Sequence, residues 1–309
     1  MNDKKSSPKP AVVLGAINHH EWPVVAPWIK SLRKTSFTGR VILVTYEDVA
    51  ENVKDQMRHH GVEIIEAKME ISVNRGRFKD FAAILQTMTP ETCVIATDVR
   101  DVVFQEDPTK LGDLLDASKE RALVVSSEGW RYNDSEWNVA TLRKVFPAHE
   151  AKMLNEEVYC SGVIVGTAGA LQRLSERIWE LAKPAPSFNG DQVAMNIALR
   201  EPEFVRQTLF LNVQDGRIFH ARATWLRNKE GKSTLYEPKF SMARGIVLKV
   251  DEKPVSVLHQ YTESTAERMR VLLRYDCLLT GVAHRLKQRF IPADDSKVYW
   301  KTSAASPPA

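Results

Sequence analysis

The chain has 309 residues, of which 43% are hydrophobic and 27% charged, a composition typical of a globular protein with a sizeable core and unlike that of a disordered or fibrous chain. Its 43 basic and 39 acidic residues give a formal net charge of +4, which is too small to indicate nucleic-acid binding but allows local basic patches that meet phosphates. No stretch approaches the roughly 18 continuous apolar residues of a membrane span.

The two ends of the chain differ in composition from the rest. Residues 1–10 are polar and Pro-rich without the apolar centre of a signal peptide, and residues 291–309 end in KTSAASPPA. Both are therefore predicted to be disordered tails. The cysteines are odd in number and lack metal-ligand spacing, so we expect buried thiols and a cytoplasmic location; they are Cys93, Cys160 and Cys277.

The first half alternates short apolar runs with amphipathic segments. Strands are predicted at 11–18, 41–45, 62–67 and 93–97, with a helix in each interval, the second of them closed by Gly61. This order predicts an α/β fold with a mostly parallel sheet flanked by helices. Ligands of such sheets bind beyond the carboxyl ends of the strands. Asn18 and the acidic residues after 93–97 are therefore expected at one rim.

The second half is more mixed. Strands are predicted at 122–130 and within 159–171, a helix begins at 190, and strands or loops follow at 208–219 and 256–261. The stretch 264–290 has the pattern of one long helix rich in Arg and Lys, with a stripe facing the core or, alternatively, a membrane surface. The simplest division is one domain over 11–262 with a C-terminal helix over 263–290 packed on it.

The stretch TCVIATDVRDVVFQEDP, residues 92–108, places Asp98, Arg100 and Asp101 at the end of a buried strand. Charges there are costly to desolvate unless they pair with each other or hold an ion. The alternatives are a structural cluster of ion pairs and a site for a charged ligand. With the imidazole of His259, the two carboxylates offer the oxygen and nitrogen donors that Mn²⁺ accepts, whereas Mg²⁺ prefers oxygen. Such a cation would stabilise a leaving diphosphate.

The order of these motifs resembles that of GT-A nucleotide-sugar glycosyltransferases, in particular their retaining family-eight branch. The Asp-x-Arg-Asp strand end is similar to their metal-binding motif, and SGVIVGT, GDQVAMN and HQY follow in the family's order. PWIKSLRKTSFTGRVILVT also resembles the first βαβ unit, so the resemblance covers roughly residues 11–261. It implies a GT-A, Rossmann-like fold and transfer of a sugar from a nucleoside-diphosphate sugar to a hydroxyl of a glycan or lipid-linked acceptor. It also makes the inner face of the cell membrane an alternative to the cytoplasmic location, because many bacterial glycosyltransferases of this type act on lipid-linked acceptors.

The resemblance further implies roles for individual residues. Asp98, Asp101 and His259 would hold a divalent cation, Mn²⁺ or Mg²⁺. The nucleotide and donor sugar would contact Ala16, Ile17, Asn18, Arg77, Lys79, Asp98, Arg100, Ser161 and Gly162. The catalytic candidates are Asp191, Gln192 and Glu128. If the reaction inverts, Asp191 or Glu128 would be the base, and if it retains, Asp191 and Gln192 would flank the reacting carbon.

The sequence departs from the family pattern at two positions. The second Asp stands one residue late, which leaves open which carboxylate binds the metal and whether a metal is required. Arg100 offers a bidentate phosphate contact instead. Val193 replaces the third residue of an Asp-Gln-Asp motif, which leaves the stereochemistry open.

Structural interpretations remain for each candidate. Asp98 and Asp101 could cap a turn and pair with Arg100. His259 could be a hydrogen-bonded structural residue, and Asp191 a helix N-cap. A solvated helix face could be formed by Arg75, Arg77 and Lys79. Two other functions also remain: a nucleotide-sugar-binding protein without catalysis, and a haloacid-dehalogenase-type phosphatase. The phosphatase needs an Asp where Arg100 stands. NTPase and dinucleotide functions have no motif to support them.

Overall fold

The computed structural model describes residues 11–116, 120–184, 190–222, 241–243, 246–249 and 251–279. The strands in these ranges are β1 Ala11–Ile17, β2 Arg40–Tyr46, β3 Glu63–Ala67, β4 Cys93–Thr97, β5 Val102–Phe104, β6 Leu123–Arg131, β7 Glu157–Thr167, β8 Thr208–Leu211, β9 Ile218–His220, β10 Ser241–Ala243, β11 Ile246–Leu248 and β12 Val257–His259.

The α-helices of the same ranges lie mostly between these strands. They are α1 Trp22–Arg33, α2 Glu51–His59, α3 Val73–Gln86, α4 Thr109–Gly112, α5 Glu136–Val145, α6 Glu150–Met153, α7 Ala168–Ala182, α8 Gly190–Ala198, α9 Pro202–Gln207 and α10 Thr265–Arg274. Gly61 follows α2 in the left-handed conformation, with φ 69°, as the sequence predicts.

In the described ranges, the main sheet has seven strands in the order β3-β2-β1-β4-β7-β6-β8. β1 pairs in parallel with β2 and β4, and the pairs β2–β3 and β6–β8 are also parallel. β7 runs antiparallel to both of its neighbours. The predicted mixed, mostly parallel α/β sheet is thereby confirmed.

The sheet is covered by helices on both faces, as its nearly continuous apolar strands require. On one face, Leu14 of β1 lies in a core cluster with Phe78 and Phe81 of α3. On the other face, Val13 of β1 lies in a second cluster with Trp28 of α1. Because neighbouring strand residues point to opposite faces, every apolar residue of β1 is buried.

Four residues separate the carboxyl end of β4 from a second sheet, which begins with β5. In the part of the chain that the structure describes, it has three strands in the order β5-β12-β9. β12 is antiparallel to β5 and parallel to β9, which places His259 between Val102 and His220. Since Asp101 directly precedes β5, this pairing returns residue 259 to the acidic end of β4.

The C-terminal helix is shorter than the sequence predicts. α10 ends at Arg274, and Asp276 adopts a left-handed φ of 55°, so the predicted helix over 263–290 does not run continuously through 275–277. Val271 and Leu272 of α10 pack in a third core cluster with Tyr261.

Several sequence predictions fall outside the described residues. They are the tails 1–10 and 291–309 and residues 280–290, the last part of the basic amphipathic stretch 264–290 on which the alternative of membrane contact was based. Among the described residues, no helix has both the length and the apolar character needed to cross a bilayer.

Candidate active site

Backbone hydrogen bonds fix the two acidic residues of the rim. Asp98 follows β4, and its N–H donates to the carbonyl of Gly162 in β7 at 2.8 Å. The carbonyl of Asp101 accepts from the N–H of Gln260 at 2.8 Å. Each carboxylate is therefore attached to a different sheet, and the two sheets meet at this corner.

The three predicted metal ligands converge. His259 Nε2 lies 3.4 Å from Asp98 Oδ2 and 3.5 Å from Asp101 Oδ1. All three donor atoms lie within 4.8 Å of one another. The side chains of His259 and Asp101 are 2% and 5% exposed, whereas that of Asp98 is 31% exposed. The cluster is thus buried on one side and accessible through Asp98.

Gly162 allows this convergence. A Cβ atom at this position would lie 2.2 Å from His259 Cε1 and 2.9 Å from Asp98 Oδ2, which is closer than van der Waals contact permits. Only a residue without a side chain lets β7 approach the imidazole and the carboxylate together. Two carboxylate oxygens and one imidazole nitrogen in this arrangement fit Mn²⁺, which accepts both donor types.

Arg77 connects the metal-ligand cluster to α8. Its side chain is buried; one guanidinium nitrogen donates to Asp98 Oδ1, and the other donates to Asp191 Oδ2 at 3.3 Å. The second nitrogen also donates to the carbonyl of Ser161 at 3.3 Å, and the Ser161 hydroxyl donates to Asp191 Oδ2 at 3.2 Å. The alternative in which Arg77 lies on a solvated helix face is therefore wrong.

The charges in this network shift the pKa values of its acidic residues in opposite directions. Burial opposes ionisation of Asp98, but Arg77 and His259 hold its pKa well below the ordinary value. Burial likewise opposes ionisation of Asp101, and His259 and Arg100 keep its pKa low. The pKa of Asp191 is raised, because burial and Asp98 outweigh Arg77. Asp98 and Asp101 are thus suited to hold a cation, and Asp191 to a different role.

The pKa of His259 is raised well above its ordinary value of 6.5. Burial alone would lower this pKa, but the neighbouring sulfur of Cys160 and the carboxylates of Asp101 and Asp98 together outweigh burial. Nε2 is thus the ring nitrogen of His259 that lies between the two carboxylates.

Glu128 and Gln192 also lie near this corner and are buried. Glu128 accepts from Gln260 Nε2 and from Trp130 Nε1, each at 3.2 Å. Gln260 directly follows His259 in the left-handed conformation, with φ 62°, so its side chain links Glu128 to the ligand strand. Gln192 Nε2 donates to Asn138 Oδ1 at 3.3 Å.

The remaining predicted residues divide into two groups. Ala16 and Ile17 end β1 and Asn18 follows it, all three buried. The Arg100 side chain is 56% exposed at the rim, with Nη2 3.3 Å from Asp101 Oδ2.

The structure does not bring Lys79 to the cluster, because its ammonium pairs with Glu70 on the exposed side of α3. Residues two apart on a helix point in different directions, so Arg77 and Lys79 cannot both face the site.

Sequence reasoning missed His220. It ends β9, is buried, and lies opposite His259 in the second sheet. Its pKa is lowered well below 6.5, by burial and then by the neighbouring His259. The only signal in the sequence was a histidine that closes the apolar run RIFH, and this signal carries no information without the pairing of β9 with β12.

The fold is that of GT-A glycosyltransferases, which confirms the predicted fold class. The glycosyltransferase GlyE of Streptococcus pneumoniae TIGR4 superposes with a TM-score of 0.54 at 16% identity over 91% of this chain, which spans 64% of that structure's length. Mouse xyloside xylosyltransferase 1 superposes with a TM-score of 0.50 at 16% identity, over 82% of this chain and 98% of its own.

The galactosyltransferase LgtC, solved with donor and acceptor sugar analogs, superposes with a TM-score of 0.51 at 14% identity, over 80% of this chain and 86% of its own. Neither a protein-family profile nor a curated protein sequence matches the chain. At these identities, the likeness establishes the fold.

Proposed function

We propose that the protein is a glycosyltransferase that moves a sugar from a nucleoside-diphosphate sugar to a hydroxyl of a glycan or lipid-linked acceptor. The observation that carries this proposal is the convergence of Asp98, Asp101 and His259 at the strand-end rim of a GT-A fold. The structures of similar fold named above are glycosyltransferases, and LgtC was solved with donor and acceptor sugar analogs.

The cluster of Asp98, Asp101 and His259 would hold Mn²⁺ or Mg²⁺. A cation there supplies positive charge that neutralises the diphosphate as it leaves. Arg100 lies beside the cluster with an exposed guanidinium, and its N–H groups can donate to a phosphate as a pair. In this proposal, Arg100 stands at the sequence position of the second carboxylate of the common motif, and Asp101 supplies that carboxylate one residue later. The nucleoside lies against Ala16, Ile17 and Asn18 at the end of β1.

Asp191 and Gln192 then line the donor-sugar pocket together with Ser161 and Gly162. Arg77 and the Ser161 hydroxyl hold Asp191 Oδ2 from two sides, so this carboxylate is oriented before the donor arrives. Glu128, held by Gln260 and Trp130, lies on the acceptor side. Asp191 or Glu128 is the base of an inverting reaction, and Asp191 with Gln192 flanks the reacting carbon of a retaining one.

The test is a screen of nucleotide sugars for binding and hydrolysis, with Mn²⁺, with Mg²⁺ and with EDTA. We expect one donor to raise the melting temperature and to be hydrolysed slowly in a cation-dependent way. Asp101→Asn should remove the cation dependence, whereas the surface variant Glu70→Gln should behave like the wild type. Cation-dependent binding without hydrolysis or transfer would favour a non-catalytic binding protein. If no nucleotide sugar bound at all, the proposal would be wrong.

A further inference from the structure

Two buried histidines that are hydrogen-bonded to each other extend behind the metal-ligand cluster. His220 and His259 are opposite each other in parallel strands, and their Nδ1 atoms are 2.9 Å apart. The far nitrogen of His220, Nε2, lies 2.6 Å from the hydroxyl oxygen of Ser126 in β6. A path of hydrogen bonds thus runs from the main sheet through both imidazoles. It ends at His259 Nε2, which lies 3.4 Å from Asp98 Oδ2 and 3.5 Å from Asp101 Oδ1.

The positions of the protons along this path follow from its end groups. His259 Nε2 faces the carboxylates of Asp98 and Asp101, so it is the ring nitrogen that offers a lone pair when a cation binds. Nδ1 of His259 then carries the proton and donates, because a neutral imidazole keeps one N–H. His220 Nδ1 must then accept, and His220 Nε2 must carry the proton that it donates to Ser126.

We propose that His220 is a positioning residue for the metal site: it fixes the tautomer and the ring orientation of His259 so that Nε2 always faces the two carboxylates. This inference rests on the proposed function, since it assumes that the cluster holds a cation. Because His220 accepts from His259 in the same way with and without the cation, the ligand needs no rearrangement when the cation binds. Partners behind a ligand histidine typically change metal affinity by about 10- to 100-fold when they are removed.

Cys160 offers a competing interpretation of the same region. Its sulfur lies 3.5 Å from His259 Nδ1, and the donor atoms of Cys160, His220 and His259 lie within 4.8 Å of one another. A thiol is a weak acceptor, so His220 is the better partner for the His259 N–H. Since a direct hydrogen bond already joins the two histidines, no ion is needed between them.

The first experiment measures Mn²⁺ affinity by electron paramagnetic resonance in matched variants. His220→Phe removes the acceptor and should weaken Mn²⁺ binding by about 10- to 100-fold. His220→Asn should restore most of this loss, because the Asn side-chain oxygen ends where Nδ1 stood. The control Cys160→Ala should leave the affinity within about threefold of the wild type. Thermal unfolding of each variant distinguishes a lost hydrogen bond from a lost fold.

The second experiment reads the protons directly in the cation-free protein, by ¹⁵N chemical shifts of the histidine rings. We expect His220 with a proton on Nε2 alone, and His259 with a proton on Nδ1. A proton on His220 Nδ1, or a His220→Phe variant that binds Mn²⁺ like the wild type, would overturn the inference and leave the proposed function standing.

Two further outcomes complete the test. A wild-type protein that binds neither Mn²⁺ nor Mg²⁺ would overturn the metal-dependent function and this inference with it. One zinc ion per purified chain, lost in Cys160→Ala, would overturn the inference alone, because the soft donors behind His259 would then be a metal site of their own.

Discussion

Arg77 holds a buried positive charge between the carboxylates of Asp98 and Asp191, which come from β4 and α8. The free energy lost when such charges are desolvated offsets much of the free energy gained from their attraction. The network therefore serves to orient these side chains more than to stabilise the fold. Each charge in it nevertheless depends on the others, because a buried charge without its partner has neither water nor a counter-ion.

Arg77→Met should therefore destabilise the fold strongly. Removing one partner of a buried ion pair typically costs about 3 to 5 kcal/mol in the free energy of unfolding, and two carboxylates lose their guanidinium partner here. Urea denaturation measures this loss. Lys79→Met, two positions along the same helix, breaks only an exposed pair with Glu70 and should cost less than about 1 kcal/mol. Equal costs for the two variants would contradict the buried network.

Gly162 is the second residue on which the site geometry depends. Gly162→Ala should push the His259 ring away from β7, since the new Cβ would start 2.2 Å from Cε1. We expect Mn²⁺ affinity to fall at least about tenfold, as it does when a ligand loses its support. Titration calorimetry measures this affinity.

Gly76→Ala is the matched control for Gly162→Ala. Its Cβ would meet only Tyr46 Oη, at 3.9 Å, and Ala favours a helix interior by about 0.5 to 1 kcal/mol. It should leave Mn²⁺ affinity unchanged, and a similar loss in both variants would show that the tight approach of β7 is unimportant.

At the scale of elements, the small sheet decides whether a site exists at all. β12 places His259 only because β5 and β9 hold it on both sides. The side chain of Gln105, just after β5, extends this sheet: its Nε2 donates to the carbonyls of Val247 and Val255, and its Oε1 accepts from the Val247 N–H at 2.8 Å. One amide side chain thus joins the backbone of β11 and of Val255 to the end of β5.

Gln105→Ala should loosen this edge without breaking the main sheet. Each of the three lost hydrogen bonds contributes about 0.5 to 1.5 kcal/mol, so we expect a loss of about 1.5 to 4.5 kcal/mol in unfolding free energy. Hydrogen exchange should show where this stability is lost: the Val247 amide should exchange much faster, and the exchange rates of the β1 amides should hardly change. Gln172→Ala, on the exposed side of α7, should change neither. Uniform acceleration across the main sheet would contradict a local role for Gln105.

Local patterns were sufficient to predict the main elements. The buried strand 93–97 was predicted with its observed bounds, and the run at 11–18 differs from β1 by one residue, because apolar strands between polar turns have a strong local signal. The end of α10 had no such signal. Neither Gly nor Pro marks Tyr275 and Asp276, and the apolar spacing continues past them, so the turn there arises from packing against the third core cluster.

The site was predictable as a set of residue types but not as a geometry. The acidic strand end and His259 could be named from motif order, whereas their distances depend on β12 pairing with β5 across more than 150 positions of sequence. Arg77 and Lys79 looked alike in the sequence, and only the direction of α3 buries one and exposes the other.

At the scale of the whole molecule, the candidate site joins elements from the first to the last described part of the chain. Asp98 follows β4, Asp191 lies in α8 and His259 in β12. A ligand that binds only this assembled site stabilises the entire fold, by RT ln(1 + [L]/Kd). The free energy of unfolding of the whole protein therefore measures cation binding at this site. If the cation displaces a proton when it binds, this stabilisation depends on pH.

Stabilisation by Mn²⁺ should increase as the pH rises. In the cation-free protein the pKa of His259 is raised well above 6.5, so its proton contributes stability that is fully present below about pH 6.5 and is lost as the pH rises through the folded-state pKa. Mn²⁺ needs the same nitrogen without the proton. Below the folded-state pKa its affinity should therefore increase about tenfold per pH unit, and above that pKa it should level off.

The measurement is the Mn²⁺-induced change in melting temperature between about pH 6 and 8, with proton release counted by calorimetry in two buffers. We expect a small shift at pH 6, a larger shift at pH 8, and close to one proton released per cation in the acidic range. His259→Gln has no ring proton to displace, so its weaker binding should depend less on pH over this range than binding to the wild type does. A wild-type shift that is the same at every pH would mean that the cation does not bind His259 Nε2, and the ligand set would then have to be sought elsewhere on the rim.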